Sequence, residues 1–379
     1  MLRSERKKIQ MLSKANRIVN ARSFSVSSLS SFDWQHRGSS WDVSYTVVSP
    51  EDPARPKKTF VLFPSTTLLS TREEWRETAN LLSNVGYESI LLDWPGWHKQ
   101  NSPMNWSLED DVKEGTIVST FTDFAHVALK HVHSTRNPDA EIHVVCVGLN
   151  SVVHVRRALD ELSGIHIKSL ICFSPTWRFY LPRSVPDGYP RKLVRRQGIA
   201  DWFLSNWFVR SKLCFRIYKS KFGLSKITRR LYEEKLQFTS ELLLAKRDVI
   251  VRDRPLSIDA AMIAGHFDVA NTTRDFVQLL FGLPEETHPE DDEDDEILGI
   301  HVPNWATSKP TPTTSSETKP TLLLHLVVPQ DVNAADRKEL DSILAHRGNV
   351  TVKEVPGKLF SHEEYPAVAA EAIDSLVVS

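Results

Sequence analysis

The feature that most constrains this chain is a repeated alternation of short apolar runs with longer stretches of helical periodicity. Thr59-Phe60-Val61-Leu62-Phe63-Pro64 is apolar almost throughout, the mark of a strand buried on both faces. Trp75, Ala79 and Leu82 follow at helical spacing, and the stretch closes near Gly86. Tyr87 to Asp93 reads as a strand, 109–131 as a helix, Ile142 to Gly148 as a strand, Ser151 to Leu162 as a helix and Ile167 to Phe173 as a strand. The pattern resumes with a strand over Thr321 to Val328, a helix over 335–346, a strand over 350–355 and a helix from Pro366 to Val377. Ahead of all this, Trp41 to Val48 alternates like a half-buried strand, and Pro53 to Lys58 reads as a turn. Strands alternating with helices predict an α/β fold with a mostly parallel central sheet and helices on both faces.

Three segments break the pattern. Residues 1–32 carry Arg3, Arg6, Lys7, Lys8, Lys14, Arg17 and Arg22 against the single acid Glu5, and then a crowd of serines. No apolar core follows, so the stretch reads as an organelle transit leader rather than a secretory signal. Arg22-Ser23-Phe24-Ser25 looks like a mitochondrial processing site, and a plastid leader is the alternative address. The middle, 178–283, has helical periodicity without a clear buried strand. It contains Trp202, Phe203, Trp207, Phe208, Phe215, Tyr218 and Phe222 among Arg210, Lys212, Arg216, Lys219 and Lys221. These aromatics can form an apolar inner face ringed by snorkelling Lys and Arg, or a peripheral contact with an anionic membrane. Residues 284–319 hold an unbroken acidic run, Asp291 to Glu296, and a Thr, Ser and Pro-rich stretch, which reads as a disordered insertion. The α/β body therefore falls into two halves, 33–177 and 320–379.

Composition excludes several function classes. With 379 residues and 41% hydrophobic residues, the chain is long enough for one large or two modest globular domains and is not globally disordered. A formal net charge of −1 argues against a dedicated nucleic-acid binder. No apolar run approaches the roughly 20 residues needed to span a bilayer. Cys146, Cys172 and Cys214 are too few for a disulfide framework and lack zinc spacing, so Cys146 and Cys172 read as buried reduced thiols in strands. No H-x-H or H-E-x-x-H cluster suggests a metal, and no G-x-G-x-x-G or P-loop suggests a nucleotide, so no cofactor is expected.

Four motifs in order add a resemblance. They are Asp93-Trp94-Pro95-Gly96, Gly148-Leu149-Asn150-Ser151-Val152, Val328-Pro329-Gln330-Asp331, and Gly357 to Pro366 with Ser361-His362-Glu363-Glu364-Tyr365 inside it. Together they resemble the α/β-hydrolase superfamily, and Ser70-Thr71-Arg72-Glu73-Glu74-Trp75 resembles a divergent organelle and cyanobacterial branch of it. The resemblance implies an α/β-hydrolase fold with a helical cap inserted after the strand ending at Phe173. It also implies a nucleophile elbow near residue 150, an acid at Asp331, a histidine loop before Pro366 and an oxyanion loop at Pro64-Ser65.

The chemistry departs from that pattern. The nucleophile position holds Asn150, whose carboxamide is a poor nucleophile, and the second elbow glycine is Val152. Ser151 lies one residue along, turned roughly 100° around the helix. The family's catalytic histidine position holds Leu359, while His362 matches a second, non-catalytic histidine. Pro64 supplies no N–H to an oxyanion hole. Asp331 keeps the acid position. His98 is a candidate for the mouth of the cleft, and His266 with Asp268 for a displaced acid/base pair facing it from the last helices of the cap.

Two functions compete on these residues. In the first, the triad is lost and the cleft under the cap binds a small apolar ligand or a protein partner, lined by Pro64, Ser65, Asn150 and Leu359. In the second, an esterase, lipase or thioesterase acts on an ester substrate with a rearranged set: Ser151 or Ser65 as nucleophile, His362 as base and Asp331 as orienter.

Overall fold

A computed structural model describes residues 25–50, 58–67, 70–96, 111, 116–136, 140–148, 151–162, 164–176, 231–232, 273–282, 322–332, 334–345 and 350–378. Eight strands form one sheet. They are β1 (Ser25–His36), β2 (Ser39–Pro50), β3 (Lys58–Phe63), β4 (Glu88–Leu91), β5 (Glu141–Val147), β6 (Ile167–Phe173), β7 (Leu323–Pro329) and β8 (Thr351–Val355). Their order is β1-β2-β4-β3-β5-β6-β7-β8. β1 and β2 pair antiparallel, as do β2 and β4, and every later pairing is parallel. The expected α/β architecture with a mostly parallel sheet is therefore present.

The described helices are α1 (Arg76–Asn84), α2 (Ile117–Thr135), α3 (Ser151–Glu161), α4 (Thr273–Phe281), α5 (Ala334–Leu344), α6 (Ser361–Glu364) and α7 (Pro366–Val378), with a 3-10 turn over Arg72–Trp75. α1 packs on α7, while α2 packs on α3 and α4 packs on α3 and α5. Strand alternation separates the two layers. Phe63 meets Trp94 at 5.2 Å, and Trp94 meets Phe121 of α2 at 5.3 Å. Phe173 points the other way, to Trp75 at 5.4 Å. Phe60, Val61, Leu62 and Phe63 are all buried, because helices cover both faces of a parallel strand.

Two boundaries differ from expectation. β1 begins at Ser25, so residues 25–32, which had been assigned to the leader, are strand, paired one-to-one with β2. An edge strand tolerates the serines because much of it faces solvent. Its inner side is anchored by Phe32 and Trp34, with Trp34 donating to Asp123 at 2.8 Å. The turn to β2 uses left-handed Arg37 (φ 50°) and Gly38 (φ 74°), the geometry a two-residue hairpin needs. Arg37 is held by the buried Asp111 at 2.5 Å. At the other boundary, α4 falls inside the stretch expected as cap, yet it packs on α3 with Phe276 fully buried, so it belongs to the α/β body. The rest of the expected cap, apart from Leu231 and Tyr232, lies outside the described residues, as do Cys214, the basic aromatic stretch and the acidic insertion. No described helix is long and apolar enough to cross a membrane.

Candidate functional site

The C-terminal ends of β3, β5, β6 and β7 converge on one edge, and side chains from both surrounding motifs seal it. Two tryptophans satisfy the carbonyls where the chain leaves β3. Trp75 donates to Phe63 O at 3.0 Å and Trp94 donates to Pro64 O at 2.8 Å. Buried Asp93 accepts the Arg72 N–H at 2.7 Å, and its second oxygen lies 3.3 Å from Arg72 Nε. The Ser-Thr-Arg-Glu-Glu-Trp run and the Asp-Trp-Pro-Gly turn are thus tied to each other. Ser65 donates its N–H to Glu74 Oε1 at 2.9 Å, and its hydroxyl joins those of Ser70 and Thr67 in a buried cluster.

The elbow region shows why residue 148 is glycine. A Cβ there would collide with the carbonyl oxygen of Ser174 and stand 2.8 Å from the Thr176 nitrogen. Ser174 itself is buried and left-handed (φ 46°), an unusual conformation for a residue with a side chain. It donates its N–H to Val327 O at 2.8 Å and its hydroxyl to Leu359 O at 2.7 Å. One residue therefore links the ends of β5, β6 and β7 to the loop after β8. Ser151 opens α3, fully buried, and its hydroxyl has no hydrogen-bond partner. Asn150 lies outside the described residues, as do His98, His266 and Asp268.

His362 lies on α6, just ahead of α7. It is completely buried, with Trp75 at 4.3 Å, Phe360 at 5.4 Å and Phe173 at 6.1 Å between ring centres. Its Nε2 lies 3.4 Å from Glu74 Oε1. Its backbone carbonyl accepts the Thr78 hydroxyl at 3.2 Å. The expected orienter, Asp331, has a different job. It is exposed, and its Oδ2 accepts the Gly357 N–H at 2.8 Å while its own N–H donates to Gly357 O at 3.0 Å. Asp331 therefore clasps the loops after β7 and β8. Leu359 is buried, and its carbonyl accepts the Ser174 hydroxyl.

Of the sequence candidates, the structure brings Ser65 and His362 onto the same carboxylate, that of Glu74. It does not join Ser151 to His362, since neither the Ser151 hydroxyl nor either His362 ring nitrogen makes a hydrogen bond. Glu74 and Ser174 were missed. Glu74 stood in a run read only for its resemblance, and nothing local marks Ser174. His154, one turn along α3 from Ser151, is also fully buried beside Trp94 and Phe121, and burial pushes its pKa down to about 3. Among the described residues no group of three or more His, Cys, Asp or Glu could hold a metal ion.

No family model matches the chain, and no curated protein matches it. Solved structures do. An esterase from Exiguobacterium antarcticum aligns with a TM-score of 0.54 at 10% identity, over 90% of this chain and 97% of that one. A thermophilic esterase from Thermogutta terrifontis aligns with a TM-score of 0.53 at 13% identity, over 93% and 98%. The thioesterase domain from the curacin biosynthetic pathway aligns with a TM-score of 0.51 at 12% identity, over 93% and 99%. Likeness at such low identity speaks to architecture alone. With its strand order and the convergence of strand ends just described, the chain has the α/β-hydrolase fold.

Proposed function

We propose that this protein is a hydrolase-fold protein with a lost triad, which binds a small apolar ligand or a protein partner in the cleft under its cap. The observation that carries the reading is the separation of the triad candidates. Asp331 is engaged with Gly357, His362 is enclosed by aromatic rings against Glu74, and the Ser151 hydroxyl is buried without a partner. A serine nucleophile needs a base within about 3 Å of its hydroxyl, and among the described residues none hydrogen-bonds the Ser151 hydroxyl. A cleft can outlive its chemistry, because the fold that shapes it is held by the core rather than by the reacting groups.

The test is labelling of the folded protein with a fluorophosphonate probe, read by intact mass and peptide mapping. No adduct is expected. A stoichiometric adduct on one serine, abolished in Ser151→Ala or Ser65→Ala, would replace this reading with the second one, an esterase- or thioesterase-type hydrolase with a rearranged set. That alternative has one observation in its favour: the Ser65 N–H and the His362 imidazole meet the same carboxylate, beside the Ser65 and Ser70 hydroxyls.

The basic N-terminal stretch we read as a mitochondrial leader, with a plastid address as the alternative. A cut after Phe24 would leave β1 whole, since that strand begins at Ser25. Sequencing the N-terminus of the protein recovered from its organelle tests this; a mature chain beginning inside β1 would refute it.

A further inference from the structure

We propose that Glu74 is the positioning residue of His362, so that the chain holds a displaced Glu–His pair whose carboxylate comes from the segment after β3 rather than from the loop after β7. The pair goes beyond the binding reading above and does not depend on it.

Both side chains are fully buried. An ionised carboxylate in such a place is costly unless it is paired and hydrogen-bonded. Glu74 Oε1 accepts the Ser65 N–H at 2.9 Å and lies 3.4 Å from His362 Nε2, an approach without a hydrogen bond. Its Oε2 has no hydrogen bond, and among the described residues His362 is the basic side chain that comes within ion-pair distance of this carboxyl. The surroundings hold the imidazole in place from several sides. Trp75 stacks obliquely on it from the same 3-10 turn as Glu74, Phe360 and Phe173 border it, and Thr78 of α1 grips its backbone carbonyl. The remaining charged neighbour on α6, Glu363, is occupied by the Tyr232 hydroxyl at 2.5 Å. Glu364 accepts the Lys358 N–H at 3.0 Å.

The contact runs through Nε2. A carboxylate there favours the tautomer with hydrogen on Nε2 and leaves Nδ1 as the basic nitrogen. In a Ser-His-Asp triad the arrangement is reversed: the acid holds Nδ1–H and Nε2 faces the serine. The His362 imidazole thus presents Nε2 rather than Nδ1 to its carboxyl neighbour, the reverse of a triad histidine.

Ring-15N-labelled histidine read by NMR at pH 8 tests this, with His362→Gln assigning the resonance. Wild-type protein is expected to show the Nε2-protonated form at His362. Glu74→Leu, close in volume and without an acceptor, is expected to lose that preference, whereas Asp331→Asn leaves it unchanged. An Nδ1-protonated wild-type ring, or a tautomer that changes in Asp331→Asn and not in the Glu74 variant, would overturn the proposal. Should Glu74→Leu fail to fold, Glu74→Gln, which removes the charge and keeps an acceptor for the Ser65 N–H, takes its place, and an unchanged tautomer ratio in it would overturn the proposal. The fluorophosphonate result stands apart, since the tautomer can be as proposed whether or not a serine is labelled.

Discussion

The carbonyl oxygen of Ser174 occupies the space that a side chain on Gly148 would need. This contact joins the ends of β5 and β6 at the point where the elbow turn begins, and it is backbone against backbone, so neither side can yield by a rotamer change. Gly148→Ala is expected to destabilise the protein by about 3 kcal/mol or more through forced backbone displacement. Urea unfolding followed by circular dichroism measures it; a loss under about 1 kcal/mol would mean that the two strand ends separate easily.

Ser174 offers a paired test. Its left-handed backbone costs on the order of 1 kcal/mol for a non-glycine residue. Its hydroxyl bond to Leu359 O contributes a similar amount in a buried site. Ser174→Ala keeps the strain and loses the bond, leaving the Leu359 carbonyl short of a donor, so a loss of about 1–2 kcal/mol is expected. Ser174→Gly loses the bond and relieves the strain, and should unfold close to wild type. Equal losses in the two variants would show that the backbone strain is negligible.

Asp331 is expected to behave as a loop clasp. Asp331→Ala removes one acceptor for the Gly357 N–H at an exposed position and should cost about 1 kcal/mol. A denaturation midpoint that does not move would show that Gly357 finds water as readily.

Stability should fall in mild acid. Burial lowers the pKa of His143 to about 4, with Glu141 opposing and Lys58 and His325 assisting, and burial lowers His154 to about 3. Both folded-state values lie below the unfolded value near 6.5. The unfolded chain therefore binds more protons between those limits, and stability falls as pH drops. The contribution is fully present above about pH 6.5 and is lost progressively toward pH 4 for His143 and pH 3 for His154. For His143 the loss amounts to about 3 kcal/mol. His143→Phe, which keeps the ring against Phe60, should flatten part of the slope in urea midpoints taken across pH 7 to pH 4. An unchanged slope would assign the acid sensitivity to other groups.

Cys146 and Cys172 face each other across β5 and β6 with their sulfurs 3.8 Å apart, both fully buried. Burial pushes the Cys146 thiol up, away from the reactive thiolate. Both should resist a thiol-modifying disulfide reagent in the folded protein and react after unfolding in guanidinium. Rapid labelling of either under native conditions would show that the sheet opens there.

Much of the fold was legible because its signals are local. The all-apolar run at Phe60 to Phe63 and the helical spacing of Trp75, Ala79 and Leu82 are properties of neighbouring residues. So is the alternation that sets strand after helix, and it predicts a parallel sheet whatever else the chain contains. β1 escaped because serines on an edge strand leave no apolar run to read. The same locality made the triad positions readable as departures, with Asn150 and Leu359 standing where chemistry would need other residues.

Local sequence therefore carries most of the strands and helices from β2 onward, and the residue types at the positions where the resemblance expects reacting groups. The partners at those positions come from packing: Glu74 rather than Asp331 beside His362, and Ser174 bridging Gly148 and Leu359. Those partners lie far apart along the chain, and no periodicity links them. They come together because parallel strands bring distant segments to one edge of the sheet, where packing sets the Glu74 carboxyl beside the Ser65 N–H and the His362 ring.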